Sequence, residues 1–198
     1  MNMIKSSFHS VALFSLATLL ASAPALPLPA NYLINSDLKE SIAGWSGDGE
    51  SKFLKPDGLE GDETDPGAIP VIKLDLSRGS PRAVYQEFVT RDKPTNLHIK
   101  VDVFASLDFQ RSKFPSDYTI TWKPGGTWYW SAIAIPSVDF WIRGGPGWFY
   151  KLTSLKPGKW VTVNGSFEGL SSDENRVVNF CVPPGEGAVY LKNAVVTP

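Results

Sequence analysis

Residues 97–104 read Leu97-His98-Ile99-Lys100-Val101-Asp102-Val103-Phe104. Leu97, Ile99, Val101 and Val103 fall on one side of an extended chain and His98, Lys100 and Asp102 on the other. A period of two with one apolar and one charged face is the pattern of a strand that is core on one side and wet on the other. The same alternation appears in Ile72, Leu74 and Leu76 against Lys73 and Asp75, and in Val161, Val163 and Phe167 against Thr162, Asn164 and Ser166. Half-buried strands of this kind close a core by packing two sheets face to face, with no helical layer needed.

Working outward, short runs rich in Val, Ile, Thr and aromatic residues recur between Gly, Pro, Asn and Asp clusters. The spacing predicts strands at Tyr32–Asp37, Ser51–Lys55, Ile69–Leu76, Arg82–Thr90, Leu97–Ser106, Tyr118–Trp122, Trp128–Ile135, Val138–Arg143, Trp148–Thr153, Lys159–Phe167, Arg176–Val182 and Ala188–Val196. Turns are expected at Pro124-Gly125-Gly126, Gly144-Gly145-Pro146-Gly147 and Pro183-Pro184-Gly185. The predicted class is all-β, a two-sheet antiparallel β-sandwich.

Composition narrows the chemistry. The chain has 198 residues with 19 basic and 20 acidic side chains. That balance leaves no electrostatic footprint for a nucleic acid, so none is expected as a partner. A single cysteine, Cys181, excludes an internal disulfide and a Cys-rich zinc site, and Cys181 itself is expected as a packed thiol in its strand. Of the two histidines, His9 lies in the leader, leaving only His98; mechanisms and metal sites that need two imidazoles are excluded.

The first 25 residues read as an export signal, with Lys5 as the basic region, Val11–Leu20 as the apolar core, and small residues before cleavage after Ala23, Ala25 or Ala30. Pro24, Pro27 and Pro29 end the apolar stretch short of the ~20 residues a membrane span needs. The mature chain, residues 26–198, is expected as one exported domain, periplasmic or extracellular, with no membrane span.

The two ends of the mature chain carry a further pattern. Asn31–Trp45 (NYLINSDLKESIAGW) resembles the opening of carbohydrate-binding modules of the family four/nine type, and Gly187–Pro198 (GAVYLKNAVVTP) resembles their closing strand. Tyr85-Gln86-Glu87-Phe88 matches their Gln-containing strand, and Trp160 the Trp that opens a late strand. The resemblance implies a galactose-binding-like jelly roll and a framework role for Trp45 and Trp160. It departs where the pattern's Glu falls on Lys39 and its Asp on Lys192. In the family those acids commonly help hold a structural calcium. An ammonium offers no lone pair, so no metal and no cofactor are expected here, although Glu40, one residue off register, could compensate.

Residues 122–150 hold five of the seven tryptophans: Trp122, Trp128, Trp130, Trp141 and Trp148. Tyr150 adds to them. Sugar rings present apolar C–H faces that stack on flat aromatic groups, while their hydroxyls need polar neighbours. Alternation in Val138–Arg143 groups Asp139, Trp141 and Arg143 on one face, an indole flanked by an acid and a guanidinium. The candidate ligand-binding residues are therefore Trp128, Trp130, Asp139, Trp141, Arg143, Trp148 and Tyr150, with Trp141 as the exposed one and Trp122 in the core. An aromatic core and a protein-contact surface are the competing roles for the cluster.

Catalysis finds less support. The acidic stretch Asp57–Asp65 (DGLEGDETD) lacks the spacing of a calcium loop and is expected as a solvated loop. Nothing in the sequence puts two of its carboxylates across a sugar, as glycoside hydrolysis requires. His98 is expected on a polar surface, and the characteristic stretches of jelly-roll lyases are missing. Asn164-Gly165-Ser166 matches a glycosylation sequon. The expected function is non-catalytic carbohydrate binding. The alternatives are an envelope or matrix protein docking a protein partner through its aromatic face, and a small polysaccharide hydrolase or lyase.

Overall fold

A computed structural model describes residues 31–77, 82–90, 96–111, 119–122, 130–133, 139–145, 151–167 and 175–198. Its strands are β1 (Ser46–Gly47), β2 (Glu50–Leu54), β3 (Glu60–Gly61), β4 (Ile69–Asp75), β5 (Arg82–Val89), β6 (Leu97–Ala105), β7 (Gln110–Arg111) and β8 (Thr119–Trp122), followed by β9 (Trp130–Ile133), β10 (Phe140–Gly145), β11 (Lys151–Thr153), β12 (Trp160–Phe167), β13 (Asn175–Val182), β14 (Gly185–Glu186) and β15 (Ala188–Thr197). A five-stranded sheet runs β1-β5-β13-β10-β11 and a six-stranded sheet β12-β6-β15-β4-β2-β3, with small pairs β14-β7 and β8-β9. Every strand pairing is antiparallel. The all-β two-sheet sandwich is thus the observed fold, and among the described residues no helix is long and apolar enough to cross a membrane.

The alternation that predicts the sandwich also builds its core. Ile99, Val101 and Val103 of β6 meet Val189 and Leu191 of β15 and Ile72 and Leu74 of β4 on the inner side of the six-stranded sheet, all buried. The five-stranded sheet answers with Val84 and Phe88 of β5, Phe140 and Ile142 of β10, and Val178 and Phe180 of β13. Phe180 stacks on Phe140 at 6.2 Å between centroids and lies 5.9 Å from Trp45, which is buried as a framework residue should be. Each large apolar side chain so enclosed contributes about 1.5–3 kcal/mol.

Two expectations fail for identifiable reasons. Tyr32–Asp37 is no strand: polar side chains satisfy this segment in place of a ladder. Buried Gln86 accepts from the Ile34 N–H at 2.7 Å and donates to its carbonyl at 3.1 Å. Asn35, in the left-handed region at φ 46, donates to the carbonyls of Ser41 and Ala43 and accepts from the Glu40 N–H. Such side-chain bonds compete directly with extended pairing. Gly144 and Gly145, expected in a turn, instead extend β10 and pair with Val178 and Val177. The glycines bring no side chain to the sheet and so do not interrupt it.

The first described residues are tied directly to the last strand. Asn31 Oδ1 accepts from the Val196 N–H at 2.9 Å, and the Tyr32 N–H donates to the Val196 carbonyl at 2.9 Å.

Candidate functional site

The central strands of the five-stranded sheet decide what its outer face presents. Phe140 and Ile142 point into the core, so Trp141 and Arg143 take the alternate, outward register positions of β10. In β5 the inward residues are Val84, Gln86 and Phe88, leaving Ala83, Tyr85 and Glu87 outward. In β13, Val178 and Phe180 are inward and Val177, Asn179 and Cys181 outward.

Register then assembles rows across the sheet. One row runs Arg143–Asn179–Tyr85–Ser46. The next contains Leu152, Trp141, Cys181 and Ala83, and on the other side lie Gly145, Val177 and Glu87. Asn179 is only 3% exposed and Cys181 8%, although both point away from the core. Around these two buried residues Tyr85 is half-buried and Glu87 is exposed. The Asn179 amide and the Tyr85 phenol share one row with the register position of Arg143, next to the row that contains the position of Trp141.

Not every predicted residue belongs here. Asp139 precedes β10 and is 9% exposed, with its Oδ2 accepting from the Leu155 N–H at 2.8 Å. It is therefore no wet-face neighbour of Trp141. The strand begins one residue later, and the carboxylate satisfies the backbone where the chain leaves β11. Trp130 opens β9 and pairs across it with Trp122 in β8, a hairpin outside both main sheets. Trp128, Trp148 and Tyr150 lie outside the described residues.

Tyr85, Asn179, Glu87 and Cys181 are missing from the sequence-derived set. Alternation in β5 carried the signal for Tyr85 and Glu87. Asn179 and Cys181 are interleaved with Val178, Phe180 and Val182, so their strand reads apolar nearly throughout and its outward side is hidden until a sheet partner is known.

The two lysines at the family's acidic positions are engaged elsewhere. Lys39 Nζ lies 2.7 Å from Asp37, whose carboxyl is held below its ordinary value chiefly by that contact. Lys192 Nζ sits 4.2 Å from the Trp160 ring centre. Glu40 is exposed, its backbone bound to Asn35. These residues do not fit a calcium ion, and among the described residues no three metal-ligating side chains come together.

The acidic loop turns its carboxylates on itself. Asp57 accepts from the Leu59 N–H, Asp62 from the Thr64 N–H and hydroxyl, and Asp65 from the Asp62 N–H. Glu60 instead reaches Lys73 Nζ at 2.7 Å and accepts from the Tyr190 hydroxyl at 2.8 Å, tying the loop to the outer face of the six-stranded sheet.

No protein-family model matches the chain, and no curated protein does. Among solved structures it is similar to the enzymatically active domain of tailspike protein 4 of Bacteriophage CBA120, with TM-score 0.50 and 9% identity, covering 84% of this chain and 21% of that one. It is also similar to the CBM22-1 xylan-binding domain of Paenibacillus barcinonensis Xyn10C, with TM-score 0.50 and 11% identity, covering 87% and 97%. A third likeness is to TmCBM61, solved with β-1,4-galactotriose, with TM-score 0.48, 10% identity and coverage of 84% and 97%. The chain thus spans about a fifth of the tailspike chain and nearly all of the xylan-binding domain. At these identities the likeness establishes the shared β-sandwich, the fold of carbohydrate-binding modules.

Proposed function

We propose that this chain is an exported, non-catalytic carbohydrate-binding protein that lays a polysaccharide across the outer face of its five-stranded sheet. The observation that carries this is the strand register, which sets the positions of Trp141 and Arg143 next to those of Cys181, Asn179 and Tyr85. A sugar ring stacks its C–H face on the indole of Trp141, and its hydroxyls bond to Tyr85, Asn179, Arg143 and Glu87. Trp128, Trp148 and Tyr150 are further candidate ligand residues from the sequence. A fold shared with a domain described as xylan-binding supports a polysaccharide over a small soluble ligand. Binding by an open face of this kind falls in the micromolar-to-millimolar range, about −4 to −8 kcal/mol.

Hydrolysis fits the face poorly. It needs two carboxylates ~5–9.5 Å apart; among the described residues Glu87 is the one carboxylate at an outward position in these strands, and Asp139 is committed to a backbone N–H. Export rests on the Val11–Leu20 leader, and residues 26–198 act as a single domain.

The test is tryptophan fluorescence of the mature protein against a panel of neutral polysaccharides. One glycan class should give a saturable change that survives EDTA and is lost in Trp141→Ala and Tyr85→Ala. A flat response across the panel would sink the proposal.

A further inference from the structure

The outer face of the six-stranded sheet holds a second arrangement. Trp160, expected in the framework, is 37% exposed. It opens β12 on the outer face of the six-stranded sheet, opposite Phe104, whose ring centre lies 5.3 Å away. From there the outward positions of β12, β6 and β15 form successive rows: Thr162–Asp102–Lys192, Asn164–Lys100–Val195 and Ser166–His98–Thr197. Nine outward residues, Val195 alone apolar among them, thus run ~20 Å from the indole.

The centre of this stripe is built. Asp102 accepts from the Thr162 hydroxyl at 2.6 Å and from Asn193 Nδ2 at 2.8 Å. Asn193 reaches it because β15 bulges between Lys192 and Val195, with Asn193 in the left-handed region at φ 52. A bulge that re-aims a polar side chain is a recurrent feature of binding surfaces. Burial pushes the Asp102 carboxyl up, but those two hydrogen bonds and the charges of Lys100 and Lys192 outweigh it and keep it below its ordinary value. Asp102 is thus an internally satisfied anion, while Lys100 is exposed and Lys192 rests on the indole. Lys156 and Lys159 are exposed in the segment leading into Trp160.

We propose that this stripe is a second glycan site, selective for acidic polysaccharide: a uronic-acid ring stacks on Trp160 while its carboxylate pairs with Lys192 and the next acidic unit with Lys100. The resting contact of Lys192 with the ring does not obstruct this. A cation–π contact at an exposed site is weaker than a hydrogen bond between two charged groups. The ammonium therefore turns from the indole to the carboxylate, and the sugar takes its place. With both faces loaded, one molecule bridges a neutral and an acidic chain.

Affinity electrophoresis through gels containing polygalacturonate tests this, with neutral polysaccharide gels run alongside. The full mature chain should be retarded by polygalacturonate, less so at raised salt. Lys192→Gln should weaken retardation about tenfold, and Trp160→Ala should abolish it. Lys39→Gln and Trp141→Ala should leave it unchanged. Lys192→Gln removes no buried contact, so it reports on the site even if Trp160→Ala loosens the fold. No retardation of the parent chain, or retardation equal in Lys192→Gln, overturns the proposal. Either result is separable from failure of the five-stranded face, which the neutral gels and Trp141→Ala read on their own.

Discussion

The outer faces of the two sheets differ in how their strands are covered. On the five-stranded sheet the central outward residues, Asn179 and Cys181, are buried without forming part of the apolar core. On the six-stranded sheet a satellite apolar cluster of Leu54, Val71, Phe104, Ala188 and Tyr190 lies outside the main core. The acidic loop covers part of it, with Gly58 against the Phe104 ring and Glu60 clipped to Lys73 and Tyr190. The remainder of that face, from Trp160 to Ser166, stays open and charged. One alternation pattern therefore yields two surfaces, and what separates them is which loop folds back.

The comparison breaks most severely if the shared inner layer is cut. Phe180→Ala, at a fully buried stacked position, should cost about 3–5 kcal/mol in urea denaturation and remove glycan binding on both faces together. Loss on one face alone would mean that the sheets are not coupled through this core.

Asp139→Ala follows, separating a structural carboxylate from a binding one. Removing the acceptor of the Leu155 N–H leaves that buried donor unpaired, at ~1–3 kcal/mol. The melting temperature should fall while the affinity of the remaining folded protein for neutral glycan stays the same. Unchanged stability with weakened binding would return Asp139 to the ligand.

Gly58→Ala addresses the covered half. Gly58 has φ +83, and a Cβ there would lie 2.8 Å from Phe104 Cζ. Strain and the displaced ring should cost about 1–2 kcal/mol, with faster amide hydrogen exchange across Lys55–Gly61. Neutral-glycan binding should be untouched.

Glu60→Gln gives the smallest effect and a pH signature. Burial pushes the Glu60 carboxyl up, but hydrogen bonds from Lys73 and Tyr190 outweigh it and leave it below its ordinary 4.5. Lys73 is held above 10.5 because its bond to Glu60 overcomes its burial, and burial with Glu60 raises Tyr190 above 10.0. A depressed carboxyl stabilises the fold above its unfolded value, and that contribution is lost as pH falls through the folded one. The raised Lys73 and Tyr190 contribute below their unfolded values and lose that as pH rises. The clip is therefore complete between about pH 4.5 and 10. Glu60→Gln should lower stability in that window by less than ~1 kcal/mol, since solvent screens the half-exposed pair. A melting-temperature profile that keeps its shape in the variant would contradict the clip.

Much of this was legible in the sequence, and the gaps have physical causes. Leu97–Phe104 announces a strand with one wet face because period-two alternation needs no partner to be read. Tyr32–Asp37 looks extended by composition, yet Gln86, 52 residues away from Ile34, supplies the bonds that a neighbouring strand would have given. Trp160 fits a framework position in the family pattern, but exposure depends on what covers a face, and the acidic loop stops short of it. Trp141 and Arg143 could be paired from alternation alone. Tyr85 could be read as outward but not as their neighbour, and Asn179 as neither, because the β5-β13-β10 order joins segments far apart in the chain.

The central claim is that the outer face of the five-stranded sheet holds neutral glycan. Backbone amide shift mapping by NMR tests it directly, using an oligosaccharide of whichever neutral polymer changes the tryptophan fluorescence. Perturbations should cluster at Ala83–Glu87, Trp141–Gly145 and Val177–Cys181. Perturbations confined to the six-stranded sheet, or to residues 34–44, would contradict it.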